Sequence, residues 1–289
     1  MGNLKTVIIG SNGQLGTDLL RVFDETDIIA VTHQDLDITD ADGVDAFMKE
    51  TAPSAVVNTA AYHHTGKCEA NPVNAFEVNA VGALNLARAC ERSKSLLVHV
   101  STDYVFDGDK CTPYVETDPA LPLSVYGLSK LAGELAVMSY CPENYVLRTC
   151  GLYGLVPCRA KGDNFITKIR RLAAEKGEVT VVDDEIVTPT WTFSFARQIK
   201  RLCDERPAPF GLTHASDEGQ CSWYEFTREI FELTSTKATL KRASVDDFPT
   251  ELRRPRYSVL ENAVLKSAGA NIMEDWRESL ARYLELAKS

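Results

Sequence analysis

The chain has 289 residues, 31 basic against 41 acidic side chains and a formal charge of −10, with 44% hydrophobic and 25% charged residues. At this length a single core, or a main domain with a smaller companion, buries enough apolar surface to be stable without disulfides or a structural metal. The acidic balance works against nucleic acid or anionic lipid as a partner, and polar residues break every apolar run before the roughly 18 residues of a membrane span.

Met1 leads through Lys5 straight into a strand-like Val7-Ile8-Ile9, without the apolar stretch of a secretory signal, so a cytoplasmic protein is expected. Short β-branched runs at 6–9, 28–31, 55–58, 96–100 and 145–148 predict strands. Between them, Leu15, Leu19, Val22 and Phe23, then Val44, Phe47 and Met48, then Phe76, Ala80, Ala83, Leu84 and Ala87 recur at helical spacing. Pro72 suits the first turn of the helix it opens. This alternation predicts an α/β fold around a parallel sheet. After Gly154 the pattern loosens; helices are expected at 164–174, 192–203, 223–233 and 276–286, and a strand at 179–182. Cys68, Cys90, Cys111, Cys141, Cys150, Cys158, Cys203 and Cys221 form no C-x-x-C pair and read as reduced, mostly structural thiols, with no metal expected.

Gly10-Ser11-Asn12-Gly13-Gln14-Leu15-Gly16 follows the first strand at once and opens the first helix. Glycine falls where a backbone must turn tightly, approach a pyrophosphate and pack helix on strand, with the phosphate at the positive end of a helix dipole. The adenosine end then meets the segment after the second strand, where Asp37-Ile38 has the spacing for ribose and adenine. A solvated acidic loop with Asp40 or Thr39 capping a helix explains the same residues equally well. No arginine lies there to take a 2′-phosphate, so NADPH and NADH both stay open.

Tyr126-Gly127-Leu128-Ser129-Lys130 opens another helical pattern, and residues i and i+4 share a face. A phenol, with its ordinary pKa of about 10, is a reluctant proton donor near neutrality; an adjacent ammonium stabilises the phenolate. Lys130 also suits cofactor ribose hydroxyls. Ser101-Thr102-Asp103-Tyr104 follows the strand at 96–100, and ligands of open α/β sheets bind at such carboxyl ends. A hydroxyl there steadies a carbonyl oxygen as charge develops. Thr102 is the first candidate and Ser101 its nearest rival.

In this order, with Leu36 to Asp40, Val57-Asn58-Thr59-Ala60-Ala61-Tyr62, Val78-Asn79-Ala80, Leu147-Arg148-Thr149, Val182-Asp183-Asp184, Pro189-Thr190 and Arg254-Pro255, these residues resemble the extended short-chain dehydrogenase/reductase family over nearly the whole chain. The resemblance implies a Rossmann-type doubly wound parallel sheet with a smaller interleaved C-terminal substrate domain: 1–154 for the dinucleotide, rejoined by 182–204, and 155–289 mainly for substrate. It implies NAD(P)H-dependent reduction of the 4-keto group of a nucleotide-activated deoxysugar. Tyr126 is then the general acid, Lys130 its partner and Thr102 the carbonyl-binding hydroxyl. Gly10, Asn12, Gly13, Gln14, Leu15, Gly16, Asp37, Ile38, Ala60, Ala61, Tyr62 and Asn79 join Tyr126 and Lys130 around the cofactor. Asp103, Tyr104, Asn164, Phe165 and Arg254 join Thr102 around the substrate, with Trp223 a further nucleotide contact. A homodimer is among the compatible assemblies.

Two stretches depart from that pattern. Such reductases carry a tryptophan near the sugar where this chain has Gly151, and the loop after Tyr62 reads His63-His64-Thr65-Gly66-Lys67-Cys68-Glu69 instead of T-x-V-D-x-A-E. The hydride chemistry is untouched; the sugar is left open. A rival of another class is a non-catalytic dinucleotide-binding regulatory subunit, resembling that of methionine adenosyltransferase, and the intact Thr102, Tyr126 and Lys130 favour catalysis.

Overall fold

The computed structural model of the chain describes residues 5–157, 162–248 and 252–287. Cys158 lies outside them, and the other seven cysteines are free thiols. The strands are β1 (Thr6–Ile9), β2 (Ile28–Val31), β3 (Ala55–Asn58), β4 (Leu96–Thr102), β5 (Asn144–Thr149), β6 (Leu152–Tyr153), β7 (Glu178–Val182), β8 (Ile186–Val187), β9 (Thr190–Trp191), β10 (Gly211–His214), β11 (Cys221–Ser222) and β12 (Thr239–Ala243). Six of them form one sheet in the order β10-β5-β4-β3-β1-β2, every neighbouring pair parallel. The chain steps from β1 outward to β2, then crosses back to β3 on the other side, so the order reverses between β1 and β3. In an open sheet of this kind that reversal opens a ligand crevice at the carboxyl ends of the strands.

The helices are α1 (Gln14–Val22), α2 (Ala41–Thr51), the short α3 (Thr65–Ala70) and α4 (Pro72–Phe76), α5 (Gly82–Ser93), α6 (Val125–Tyr140), α7 (Phe165–Lys176), α8 (Thr192–Glu205), α9 (Trp223–Thr234), α10 (Ala263–Ser267) and α11 (Trp276–Leu286). Side chains alternate across a strand, so each face of the sheet builds its own core. Ile8, Val57, Val98 and Leu147 pack with Leu15 and Leu19 of α1 and Phe195 and Ile199 of α8. Val7, Ile9, Val56, Leu97 and Val146 face Val44 of α2, Leu86 of α5 and Val137 of α6. Each such buried side chain contributes about 1.5–3 kcal/mol. A further core joins Ile166 and Ile169 of α7, Val179 and Val181 of β7, Phe226 and Ile230 of α9 and Leu280 of α11.

Three details differ from the expected elements. β4 runs on past residue 100 and carries Ser101 and Thr102 into the sheet, where they pair in register with Arg148 and Thr149. β10, too short and too weakly apolar to stand out as Gly-Leu-Thr-His, adds the edge strand beside β5. The pattern from Phe76 to Ala87 lies in one unbroken helical run, but with an inserted π-helical turn: Pro72 opens α4 at its first turn, the π-turn spans Glu77–Val81, and α5 continues it from Gly82.

Between β9, β10 and α11, Asp217 is 1% exposed and accepts the Trp191 N–H at 3.0 Å. Burial pushes its carboxyl up to about 8. A carboxyl raised in the folded state keeps a proton that the unfolded chain has lost, so its contribution is full below about pH 4 and is lost as pH rises to about 8. Asp217→Asn, which preserves an acceptor for Trp191 without the charge, is expected to remove this slope, on the order of 1.4 kcal/mol per pH unit in that window. Urea midpoints of both proteins between pH 5 and 9 check it; parallel pH profiles would contradict it.

Candidate active site

At the mouth of the crevice, Gly10 has φ of +78°, a left-handed conformation that glycine adopts without strain. A Cβ on Gly10 would lie 2.5 Å from Thr59 Oγ1, so the turns after β1 and β3 meet at the reversal of strand order. Gly16 lets α1 sit on the turn: a Cβ there would lie 2.2 Å from the Gly10 carbonyl oxygen. Gly13 is the N-cap of α1 and offers no side-chain cap, which leaves the first-turn N–H groups facing the crevice. Such a cradle of bare backbone at a helix N-terminus fits a pyrophosphate. Asn12 is exposed, whereas the Leu15 side chain belongs to the core and Gln14 Nε2 donates to the Val156 carbonyl at 3.0 Å.

Asp37 is exposed and accepts from Thr39 N at 2.9 Å and Thr39 Oγ1 at 2.8 Å, which hold its carboxyl below the ordinary range. Ile38 is 4% exposed and packs over Gly82, where a Cβ would lie 2.6 Å from it. Asp40 caps α2 through the Gly43 N–H. After β3, Ala60 N donates to Asn58 Oδ1 at 3.1 Å, and the Tyr62 backbone is clamped from both sides by Asn79, which accepts from Tyr62 N at 2.8 Å and donates to its carbonyl at 3.0 Å. Asn79 comes from the π-helical turn and also donates to Ser129 Oγ on α6. A π-turn thus ties this loop to the Tyr126 helix. His64 caps α3 through the Lys67 N–H, and His63 Nδ1 lies 3.3 Å from the Ala61 carbonyl. Among the described residues no group of three His, Cys, Asp or Glu could hold a metal ion.

Tyr126 and Lys130 lie one turn apart in α6, whose N-cap Ser124 accepts from Gly127 N at 3.2 Å. Gly127 brings the helix start hard against the loop after β4: a Cβ there would lie 2.2 Å from the Tyr104 carbonyl. The Tyr104 ring meets the Tyr126 ring edge-on at 5.6 Å. Lys130 is 2% exposed, its Nζ donates to the Val100 carbonyl at 2.7 Å, and burial lowers its ammonium to about 8 while Glu134 pulls the other way. Thr102 and Ser101 alternate across β4. Thr102 Oγ1 donates to Asp103 at 2.9 Å and accepts from Tyr104 N at 3.2 Å. Ser101 Oγ is committed elsewhere, to the buried Glu134 at 2.5 Å.

Asp103 is 5% exposed, bonded by Ser258, Thr102 and Cys150, and raised by burial. Tyr104 is raised too, first by burial and then by the Asp103 charge, with Arg254 and Glu185 also acting on it. Glu185, raised by burial, accepts from Trp223 Nε1 at 3.2 Å and feels Arg254. Trp223 in turn lies 4.5 Å from Phe165, ring centroid to ring centroid. Asn164 uses its amide internally: Nδ2 donates to the Gly154 carbonyl and Oδ1 caps α7 through Thr167. At Gly151, with φ of +58°, a Cβ would lie 2.9 Å from the Thr188 carbonyl, so the turn as it stands favours glycine at the position where a tryptophan was expected. Sequence reasoning overlooked Glu185 and His99. The available signal for His99 was a lone imidazole within an aliphatic strand.

A glycine turn at the β1/β3 reversal and a Tyr/Lys helix beside β4 define a Rossmann-type protein of the short-chain dehydrogenase/reductase class. The family model described as the RmlD substrate binding domain matches residues 4–289, and the chain belongs to that family. It is 37% identical to the dTDP-4-keto-6-deoxy-D-glucose reductase of Streptomyces niveus, over 97% of this chain and 96% of that one. Among solved structures, the dTDP-4-dehydrorhamnose reductase of Clostridium acetobutylicum superposes with a TM-score of 0.93 at 38% identity, covering 99% of this chain and 100% of that one. The dTDP-4-dehydrorhamnose reductase of Bacillus anthracis, solved with NADP, also gives 0.93, at 33% identity over 98% of this chain and 99% of that one.

Proposed function

We propose that the chain reduces the 4-keto group of a dTDP-linked deoxysugar with NADPH or NADH, converting dTDP-4-dehydro-L-rhamnose to dTDP-L-rhamnose. One observation carries the reading: Tyr126 and Lys130 stand a turn apart on α6, beside β4, in a chain 38% identical over nearly its full length to a solved protein named for that reduction. A nicotinamide bound in the crevice would supply the hydride for the sugar carbonyl carbon. Tyr126 donates its phenolic proton to the carbonyl oxygen, and Thr102 turns its hydroxyl from Asp103 to the same oxygen. Lys130, protonated and one helical turn on from Tyr126, eases the loss of that proton and donates to ribose hydroxyls.

The glycine turn, with Gly10, Gly13 and Gly16, holds the pyrophosphate, Asp37 takes a ribose hydroxyl, and Ala60 to Tyr62, clamped by Asn79, line the cofactor. We assign Tyr104 to the sugar, Arg254 to the diphosphate and the Phe165 and Trp223 rings to the base. On this reading 1–154 with 182–204 forms the dinucleotide part, consistent with α8 packing on α1, and 155–289 is mainly substrate-binding, although β10 joins the central sheet. No helix among the described residues is long and apolar enough to cross a membrane, and a cytoplasmic site of action suits a freely diffusing sugar nucleotide. Purified chain given NADPH or NADH with dTDP-4-dehydrorhamnose is expected to oxidise the cofactor. Preference for dTDP-4-keto-6-deoxyglucose would reassign the sugar; no consumption with either, together with intact cofactor binding, would favour the regulatory-subunit reading.

A further inference from the structure

β2 ends at Val31, whose carbonyl accepts the N–H groups of Gly10 at 2.9 Å and Ser11 at 3.1 Å. The residues that follow, Thr32 and His33, therefore leave the sheet beside the glycine turn, on the side of the crevice that takes the adenosine end of a dinucleotide. Two carboxylates are locked into this stretch. Asp35 accepts from Thr32 N at 2.8 Å and Thr32 Oγ1 at 2.7 Å, and Asp37 is held in the same way by Thr39. These bonds keep both carboxyls below their ordinary range, so both are charged at neutral pH.

Ribose hydroxyls suit such a setting, because a carboxylate accepts from them. A phosphate in place of the 2′-hydroxyl meets the opposite, fixed negative charge beside its own. A cation must offset it, and the choice is narrow. Between Arg21 and Lys49 the chain carries no lysine or arginine, and His33 is the only histidine. His33 is exposed, and beyond the Thr39 bonds its charge lowers Asp37 further, so its ring lies within electrostatic reach of that carboxylate. The other groups that meet the loop add no positive charge. The turn from Gly10 to Gly16 is uncharged, Asn85 of α5 donates to the carbonyls of Ile38 and Thr39, and Asp40 at the α2 N-cap is acidic. An imidazole, unlike these, changes its charge between about pH 5 and 8.

We propose that His33 decides between the two cofactors: as the neutral ring it leaves Asp37 to select NADH, and as the imidazolium it binds the 2′-phosphate and admits NADPH. The preference therefore moves toward NADPH as pH falls. The proton comes from solvent and nothing is oxidised. The inference rests on the dinucleotide reading of the glycine turn and names how that site selects its cofactor.

The test needs no sugar. Affinities of the whole protein for NAD⁺ and NADP⁺ are measured by calorimetry between pH 5.5 and 8.5. The wild type is expected to hold NAD⁺ more tightly at pH 8. By pH 6 the ratio of affinities should shift toward NADP⁺ by about 5-fold beyond any shift in His33→Ala, which reports the titration of the phosphate itself. His33→Arg keeps a cation at every pH and is expected to favour NADP⁺ throughout, with no shift beyond that of His33→Ala. In NMR titrations NADP⁺ should move the His33 ring, assigned by its loss in His33→Ala, to a higher pH than NAD⁺ does, since an adjacent anion favours the imidazolium. Equal shifts in wild type and His33→Ala, or a ring that titrates alike with both cofactors, overturns the proposal. Binding of neither dinucleotide would reject it together with the dinucleotide reading. The expected shifts in a chain that reduces no sugar would reject the reductase reading alone.

Discussion

Tyr126→Phe is expected to cut turnover by about 10²–10⁴-fold, the usual contribution of a positioned general acid, while leaving cofactor binding near the wild-type value. The ring stays, so its edge-on contact with Tyr104 and the α6 start beside Gly127 are preserved. What is lost is the proton for the carbonyl oxygen. Single-turnover rates and a cofactor titration by nicotinamide fluorescence check both halves. Turnover within a few-fold of wild type would remove Tyr126 from the reaction. An equal loss of cofactor affinity would mean that its hydroxyl holds the cofactor instead.

The second large effect lies behind the site. Glu134 is fully buried and Arg148 is 3% exposed; they bond through Arg148 Nε at 2.9 Å and Nη2 at 2.6 Å, with Ser101 Oγ as a third donor to the carboxylate. The guanidinium also stacks 5.0 Å over Phe106. Removing one partner strands the other charge in a medium that solvates it poorly, which typically costs about 3–5 kcal/mol, whereas replacing both by apolar groups can be nearly neutral. Arg148→Met is therefore expected to lose that amount in urea unfolding, and Glu134→Leu with Arg148→Met to recover much of it. A single-variant loss below about 1 kcal/mol would contradict this account of the pair.

Much of this was legible in the chain itself, because β1 to β5 are each built on a short run of β-branched and aliphatic residues and the helices between them repeat at 3.6. The glycine turn could be read at residue 10 since each glycine answers a steric demand: Gly10 its positive φ, Gly16 the approach of α1 to the turn. Less visible were features created only by packing. β10 is defined by pairing with β5, not by its own composition. Asn79 matched the family pattern as a cofactor residue, yet its amide is spent on the Tyr62 backbone and on Ser129, bonds that no spacing rule reveals. The choice between Ser101 and Thr102 likewise needed the strand: alternation across β4 sends one hydroxyl to Glu134 and leaves the other beside Asp103. Gly151 was legible only as a missing tryptophan; its positive φ and the approach of the Thr188 carbonyl to within 2.9 Å of a would-be Cβ needed the structure.

The most direct measurement follows a single atom. With NADPH carrying deuterium on the transferable face of its nicotinamide, and dTDP-4-dehydrorhamnose as acceptor, the account predicts one deuterium at C4 of the sugar for each cofactor oxidised, seen by mass spectrometry and proton NMR of the product. Cofactor oxidation that leaves the sugar unlabelled, or a sugar recovered unchanged from enzyme that binds both ligands, would contradict it.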